Sequence, residues 1–207
     1  MFHAHDLCCI RSDRILFENI SLTVRAGEIW QIAGKNGAGK SSLLRILAGF
    51  ADPDEGAMTF LGHPWPQRHP TPAELCYIGH LAGIQPQLTA IEHLEFWQVV
   101  LQYPQQSTDA LLALLARLGL AGLEDIPCSQ LSAGQQRRVS LARLWCTHAK
   151  LWILDEPFTA LDVHTVEVLQ RHFQQHITGG GAVIVTTHQP LSLPAESVQR
   201  LELSYRW

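Results

Sequence analysis

The sequence has neither a long apolar run nor a basic leader. No stretch of its 207 residues reaches membrane-spanning length, and the N-terminus carries no basic segment followed by an apolar one. We therefore expect the chain to stay on the cytosolic side. The cysteines show neither C-x-x-C nor C-x-x-C-H spacing, which predicts reduced thiols and argues against covalent attachment of haem; they are Cys8, Cys9, Cys76, Cys128 and Cys146.

The sequence also has no excess of basic residues. The formal net charge is -4 and 16% of the residues are charged, which argues against a dedicated nucleic-acid-binding protein. Because 46% of the residues are apolar, disorder is not expected, and 207 residues suit one compact α/β domain. No internal repeat is visible, so each motif described below is expected to occur once.

A glycine-rich string is the first strong motif that is present. Residues 34–41 read GKNGAGKS, a complete match to G-x-x-x-x-G-K-[ST]. Glycines let the backbone turn tightly, so that its N–H groups and the N-terminus of the next helix face an anion. Lys40 is predicted to reach the β- and γ-phosphates of a nucleotide, and Ser41 to hold Mg²⁺. The predicted nucleotide-binding residues are Gly34, Lys35, Asn36, Gly37, Ala38, Gly39, Lys40, Ser41 and Ser42.

The segments on both sides of this string fit the motif. Residues 27–33 are mostly apolar and predict a strand, and residues 41–49 have leucines and an isoleucine at helical spacing. A chance match to the motif is the alternative, and the flanking strand and helix argue against it.

Two adjacent carboxylates follow a second apolar strand. Residues 151–154 read LWIL and residues 182–185 read AVIV, as expected of central parallel strands covered on both faces. Asp155 and Glu156 would then lie at the edge of the sheet where ligands bind. Asp155 is predicted to hold Mg²⁺, directly or through water, and Glu156 to polarise the attacking water. The alternative is a helix N-cap pair in the D-E-P sequence.

The rest of the chain divides into predicted helices and one loop. Residues 89–123 look helical, and a further helix is expected from the LSAGQ string at residues 131–135 to about residue 148. The proline-rich segment 63–73 predicts a surface loop. His172 and His176 are interpreted as part of a polar helix face, and His3 and His5 as part of a mobile terminus, rather than as haem or metal ligands.

The order of these motifs resembles that of the nucleotide-binding subunits of ABC transporters. GKNGAGKS, LSAGQ, LWILDEP, TALD at residues 159–162 and His188 follow one another as in that family, over essentially the whole chain. The resemblance implies an α/β P-loop NTPase with a RecA-like core, an N-terminal antiparallel β part and a helical signature subdomain. Residues 1–207 would form a single ATP-binding cassette, with the helical subdomain at approximately 89–148.

The resemblance also implies roles for residues on both sides of an ATP molecule. Lys40, Glu156 and His188 are similar to the catalytic residues of the family, with His188 as the switch histidine that contacts the γ-phosphate. LSAGQ resembles the signature motif, with Ala133 where a glycine is most common. That motif and the aspartate of TALD act on the ATP of the opposite subunit, so a second copy of the cassette is implied; the residues concerned are Ser132, Gly134, Gln135 and Asp162.

Two positions depart from the general family pattern. His80 stands where a glutamine usually links Mg²⁺ and water to the membrane subunit, so His80 is a candidate Mg²⁺ contact. Arg11 stands near the position of the aromatic residue that usually stacks on adenine, and a guanidinium can stack on a π-face too.

A narrower resemblance is carried by residues 78–84, 125–145, 151–162 and 186–191. These segments look like the ATP-binding subunit of the haem-exporter-type ABC complex of bacterial cytochrome c maturation, in which His80 and Ala133 also look usual. This implies a peripheral subunit on the cytoplasmic face of the bacterial inner membrane, working with integral membrane subunits. ATP hydrolysis would drive haem export, delivery or release, with ATP and Mg²⁺ as cofactors, no nucleic-acid partner and no direct haem site in this chain.

Other functions remain open from the residues alone. The ATPase subunit of a different small ABC exporter is the nearest alternative. LSAGQ and the lack of an N-K-x-D string argue against a P-loop kinase or GTPase, and a soluble nucleic-acid-acting ABC protein usually needs two cassettes. A catalytically silent cassette is disfavoured because Lys40, Asp155, Glu156 and His188 are all present.

Overall fold

The computed structural model describes residues 1–65 and 71–204, which form two β-sheets and five α-helices. The strands are β1 (Phe2–Arg11), β2 (Arg14–Val24), β3 (Ile29–Gly34), β4 (Glu55–Phe60), β5 (His63–Trp65), β6 (Leu75–Ile78), β7 (Leu151–Asp155), β8 (Ala182–Thr186) and β9 (Val198–Leu203). The helices are α1 (Lys40–Leu47), α2 (Ala90–Val100), α3 (Thr108–Arg117), α4 (Ala133–Cys146) and α5 (Val163–Thr178).

The central sheet is parallel and has the strand order β6-β7-β8-β3-β9. Every residue of β7 and β8 is buried, which confirms the prediction from their apolar runs. Side chains alternate between two core clusters: Leu151 and Ile153 pack toward α1 and the second sheet, whereas Trp152 and Leu154 pack toward α4 and α5. The carboxyl ends of β3, β7 and β8 therefore lie at one edge, where α1 also begins.

The second sheet is antiparallel and has the order β2-β1-β4-β5. The prediction of a surface loop at residues 63–73 is wrong for its first part, because His63 to Trp65 pair with β4 and Trp65 is buried against Phe2 and Phe60. Burial of the indole against these rings outweighs the strand-breaking tendency of Pro64, which is tolerated on an edge strand. The part of the predicted loop at residues 66–70 lies outside the described residues.

Helices α2, α3 and α4 pack around a hydrophobic cluster of their own. Leu94, Trp97, Leu111 and Leu115 are buried there, as their spacing predicts. The predicted helical stretch 89–123 is interrupted after Val100, where Gln102 takes a left-handed backbone conformation and Pro104 follows. The assignment of residues 89–148 as a separate subdomain stays a prediction.

Four histidines that were expected on a polar helix face or in a mobile terminus lie in regular structure. His172 stacks on Trp145 with ring centroids 4.0 Å apart, and His176 stacks on Trp152 at 3.7 Å. The interpretation of α5 as a simple polar face at these positions is therefore wrong, because the neighbouring indoles cover both rings. His3 and His5 lie in β1, which pairs with strands on both sides.

Among the residues that the structure describes, no helix has the length and apolar character needed to cross a membrane.

Candidate functional site

The phosphate loop connects the end of β3 to the start of α1. Gly39 is the N-cap of α1 and has φ 93°, a left-handed conformation that suits glycine. A Cβ atom at Gly39 would come within 3.0 Å of the Phe17 ring and 3.1 Å of the Leu16 Cβ. The loop therefore excludes a side chain here both through backbone conformation and through close packing against β2.

Lys40 lies over the loop that precedes it. Its Nζ donates a hydrogen bond to the Gly34 carbonyl at 2.7 Å and a longer one to the Lys35 carbonyl at 3.4 Å. The first turn of α1 contains no acidic residue, so the positive field of the helix N-terminus is not cancelled there. The loop thus concentrates a cationic side chain and a helix N-terminus at one point, which favours an anionic ligand.

The loop opens into a cleft of about 540 Å³ that brings the predicted phosphate and metal groups together. The cleft is lined by Leu16, Asn36, Gly37, Gly39, Lys40, Ser41, Ser42, His80, Asp155 and Glu156. Leu16 is the one lining residue that the sequence analysis did not predict; its place follows from the packing of β2 against Gly39. Gly34, Lys35 and Ala38 belong to the same loop without lining this cleft.

Asp155 and Glu156 are held by a buried threonine from the adjacent strand. The hydroxyl of Thr186 donates to Asp155 Oδ1 at 2.7 Å and accepts from the Glu156 N–H at 2.9 Å. Thr186 is fully buried, and it stands opposite Asp155 in the pairing of β7 with β8. The sequence analysis did not predict a role for Thr186. A usable signal was present, because Thr186 is the polar residue at the end of the apolar strand β8.

Glu156 combines an unusual backbone with a position next to His188. Its φ is 46°, a left-handed conformation that costs a non-glycine residue on the order of 1–3 kcal/mol. Glu156 Oε1 lies 3.5 Å from His188 Nε2, and the Glu156 side chain is 18% exposed against 63% for His188. No helix starts at Asp155 or Glu156, since the next helix begins at Val163, so the N-cap alternative for these carboxylates does not hold.

The residues predicted to act on a second nucleotide lie together at two helix starts, outside the lining of the cleft. We call Ser132, Gly134, Gln135 and Asp162 the signature surface. Ser132 is the N-cap of α4: its hydroxyl accepts from the Gln135 N–H at 3.2 Å, and Gln135 Oε1 accepts from the Ser132 N–H at 2.7 Å. These reciprocal bonds fix the first turn of the helix.

Asp162 is the N-cap of α5. Its Oδ1 accepts from the Thr165 N–H at 2.8 Å, and this backbone bond keeps the pKa of the Asp162 carboxyl below its usual range. A Cβ atom at Gly134 would lie 2.5 Å from the Ala160 carbonyl oxygen, so α4 begins directly against the loop that leads to Asp162. The two helix starts are therefore packed as one unit.

The two positions that depart from the general family pattern behave differently. His80 is exposed and lines the cleft together with Ser41 and Asp155. Arg11 does not line it: its Nη1 lies 3.3 Å from Asp54 Oδ2 and donates to the Ile10 carbonyl at 2.6 Å. Contact between Arg11 and an adenine ring stays a prediction.

The donors in the cleft suit a magnesium nucleotide. Ser41 supplies a hydroxyl and Asp155 a buried carboxylate, which are oxygen ligands of the kind that Mg²⁺ prefers. Gly34, Gly37 and Gly39 have positive φ angles, as expected of a glycine-rich loop whose backbone N–H groups face an anion. Lys40 adds the positive charge that a polyphosphate requires.

Comparison with known proteins agrees with this geometry. The family model described as "ABC transporter" matches residues 17–159. The chain is 49% identical over 207 residues to the "Cytochrome c biogenesis ATP-binding export protein CcmA" of Idiomarina loihiensis, covering 100% of this chain and 94% of that protein. It is 50% identical over 205 residues to the protein of the same name from Escherichia coli K12, covering 99% of this chain and 97% of that one.

Solved structures show the same fold. A structure described as the dimer of a bacterial ABC transporter cassette matches with a TM-score of 0.82 at 22% identity, covering 100% of this chain and 97% of the other. A dimeric ATP-binding cassette bound to ADP and phosphate in a post-hydrolysis state matches with a TM-score of 0.79 at 24% identity, covering 91% of this chain and 88% of the other. The chain is thus an ABC-type ATPase cassette, and it belongs to the ABC transporter family and, within it, to the cytochrome c biogenesis ATP-binding export proteins.

Proposed function

We propose that this chain hydrolyses ATP to drive a membrane complex of c-type cytochrome biogenesis in haem export, delivery or release. The observation that carries the proposal is the cleft that joins Lys40 and Ser41 to Asp155 and Glu156, in a chain half identical to the named export proteins over almost its whole length. The names of the relatives support the pathway, and the residues of the cleft support hydrolysis of ATP.

The residues of the cleft divide the work of hydrolysis. Lys40 neutralises charge on the β- and γ-phosphates, and Ser41 and Asp155 would hold Mg²⁺, with His80 as a further contact. The metal supplies positive charge to the phosphate oxygens when bound. Glu156, held 3.5 Å from His188, orients the attacking water and accepts its proton, while His188 contacts the γ-phosphate.

Recognition of the adenine base is assigned to a residue that does not line the cleft. Arg11 is proposed to stack on the ring, which requires the guanidinium to exchange its exposed ion pair with Asp54 for the base. An exposed ion pair contributes about 0–1 kcal/mol, so this exchange costs little.

The signature surface is proposed to serve the nucleotide of a second copy. Ser132, Gly134, Gln135 and Asp162 do not line the cleft of their own chain, although the family places their counterparts on ATP. An ATP molecule held between two cassettes reconciles both facts, and closure of such a dimer would transmit work to membrane helices.

The partners follow from the pathway. Integral membrane subunits of the cytochrome c maturation complex would hold the chain as a peripheral subunit on the cytoplasmic face of the bacterial inner membrane. We propose no nucleic-acid partner and no direct haem site in this chain, whose covered histidine rings pack on tryptophans.

Co-purification with the cytochrome c maturation membrane subunits tests the pathway. ATP turnover is measured for the chain alone and for the assembled complex, each beside the Glu156→Gln variant. Stable association with Glu156-dependent turnover supports the proposal. If the chain hydrolyses ATP but does not associate with those subunits, the pathway is wrong and a different small ABC exporter becomes the better assignment.

A further inference from the structure

Helix α4 carries three arginines that connect it to different parts of the chain. Arg138 donates to the Leu118 and Gly119 carbonyls, both at 3.2 Å. Arg143 donates to the Tyr77 carbonyl at 3.1 Å and lies over the Trp97 ring at 4.8 Å. Arg137 is the most buried of the three and is the one that reaches the cleft residues.

The guanidinium of Arg137 bonds three backbone carbonyls at the cleft edge of the central sheet. Its Nη1 donates to Gly79 at 2.7 Å, and its Nη2 donates to Asp155 at 2.6 Å and to Glu156 at 3.0 Å. Only 5% of the residue is exposed. Burial lowers the pKa of this guanidinium, whereas the nearby charge of Asp155 raises it, and an arginine remains protonated at neutral pH.

These bonds act on the part of the chain that positions the carboxylates. Gly79 directly precedes His80, so Arg137 ties the end of β6 to the end of β7. At Glu156 the carbonyl accepts from Arg137 and the N–H donates to Thr186, so both polar backbone groups of this left-handed residue are engaged. A planar guanidinium with several donors can hold three carbonyls at once, whereas a single ammonium is a point donor.

Arg137 also links the cleft to the signature surface. It lies on the same helix as Ser132, the N-cap of α4, and Gly134 packs against the Ala160 carbonyl just beyond Glu156. Arg137 stands five residues after Ser132, about 7.5 Å along the helix axis, so its bonds connect the start of α4 to the backbone of Asp155 and Glu156.

We propose that Arg137 is a positioning residue for ATP hydrolysis, which holds Asp155 and Glu156 in place and joins them to the helix that presents Ser132. The inference rests on the proposed role of Glu156 as the base. It makes Arg137 a residue that acts through Glu156 without touching the nucleotide.

The test compares Arg137→Lys and Arg137→Met with Arg143→Met in the full-length chain. Arg143 is the matched control, because it lies on the same helix and donates to a carbonyl of β6 but has no bond to Asp155 or Glu156. A misplacement of about 1 Å in a catalytic group can cost about 100-fold in rate. We therefore expect kcat to fall about 10- to 100-fold in Arg137→Met and less in Arg137→Lys, with KM and the Kd for ATP within about threefold.

A double-mutant cycle with Glu156→Gln separates positioning from a general loss of structure. If Arg137 acts mainly through Glu156, Arg137→Met lowers the residual single-turnover rate of Glu156→Gln by less than about threefold, since the base is already lost and only Asp155 remains to be positioned. Should Arg137→Met fail to fold, Arg137→Lys carries the same comparison.

Three results would overturn the inference. They are losses that multiply in full in the double-mutant cycle, an unchanged kcat in both Arg137 variants, and a fall of kcat in Arg143→Met equal to that in Arg137→Met. These outcomes differ from failure of the proposed function. Near-normal turnover in Glu156→Gln alone would remove the base from the mechanism, whereas a slow Glu156→Gln beside an unaffected Arg137→Met would remove only the role of Arg137.

Discussion

The cleft and the signature surface differ in what their polar groups already bind. In the cleft, Glu156 Oε1 is buried and has no hydrogen-bond partner among the described residues apart from the ion-pair contact with His188 at 3.5 Å, and Lys40 bonds carbonyls of its own loop. On the signature surface, the side chains of Ser132, Gln135 and Asp162 are engaged in helix caps. The cleft therefore retains polar groups that can bind a ligand, whereas the polar groups of the signature surface are already engaged in two helix starts.

Within the cleft, the phosphate loop and the two carboxylates differ in the range of the contacts that build them. The phosphate loop is made by neighbouring residues, with glycine conformations and the start of α1 within residues 34–41. The carboxylates depend on residues far away in sequence, since Arg137 and Gly79 are 58 positions apart and Thr186 and Asp155 are 31 apart. Variants in the loop should thus act on ATP binding, and variants around the carboxylates on turnover.

The largest expected effect is on turnover in Glu156→Gln. Loss of a general base costs about 10²- to 10⁴-fold in rate, while the phosphate loop is untouched, so ATP affinity should be kept. Steady-state ATPase activity and fluorescent-nucleotide binding measure the two quantities. Glu167→Gln, an exposed change on α5, is the control. Turnover close to that of the unmodified chain would take Glu156 out of the role of base.

The next effect is on binding, in Lys40→Met. A hydrogen bond to a charged group contributes about 1.5–3 kcal/mol, so the Kd for ATP should rise about 10- to 100-fold. Calorimetric titration measures it directly. Lys150→Met changes an exposed lysine outside the cleft and should leave the Kd unaltered. An unaffected Kd in Lys40→Met would mean that the loop binds phosphate without this side chain.

A smaller effect is expected in Thr186→Val, which keeps the shape of the side chain and removes its hydroxyl. Asp155 Oδ1 and the Glu156 N–H each lose a partner, at a cost of about 1–3 kcal/mol in the free energy of unfolding and about tenfold in kcat. Thr187→Val is the control, because its hydroxyl accepts from the Gln189 N–H instead. Thr187→Val should lose stability without slowing turnover. Equal slowing in both variants would contradict the role of Thr186 in positioning Asp155 and Glu156.

The last effect has no consequence for turnover: it concerns the pH dependence of stability and lies away from both the cleft and the signature surface. Burial against Trp152 lowers the pKa of His176 from 6.5 to about 4. Between these two pH values His176 is protonated in the unfolded chain and neutral in the folded chain. Stability is then complete above pH 6.5 and falls as the pH is lowered toward 4, by about 3 kcal/mol.

Urea unfolding between pH 7 and pH 4.5 measures this dependence. His176→Phe, which keeps a ring on Trp152, should flatten the curve, with a remainder from His172, whose pKa burial also lowers. His164→Gln, at an exposed position of the same helix, should retain the full slope. A slope that is unchanged in His176→Phe would show that this ring titrates at its ordinary pKa in the folded chain.

Parts of the fold that depend on contacts between residues close in sequence could be predicted, and parts that depend on contacts distant in sequence could not. The loop, the strands β3, β7 and β8, and the buried apolar positions of α2 and α3 could be predicted because glycine conformation and apolar spacing are local properties. The short strand at His63 could not, since its pairing depends on where Trp65 finds Phe2 and Phe60. The stacked positions of His172 and His176 were missed for the same reason.

The site shows the same division. Lys40, Ser41, Asp155 and Glu156 were predictable because each belongs to a motif of consecutive residues, and the structure brings them into one cleft. Arg137 could not be predicted from the sequence. Its neighbours in sequence do not distinguish it from a surface arginine, and its bonds to the carbonyls at the ends of β6 and β7 appear only in the fold.

The most direct test of the central claim, that one chain supplies half of each ATP site, is the mass of Glu156→Gln in solution with and without ATP. Light scattering should show a monomer without nucleotide and twice that mass at saturating Mg-ATP, because the slowed variant keeps ATP between two copies. The added change Ser132→Arg, which puts a long cation at the start of α4, should leave ATP bound to single chains. A Glu156→Gln chain that binds ATP fully and stays monomeric would contradict the claim.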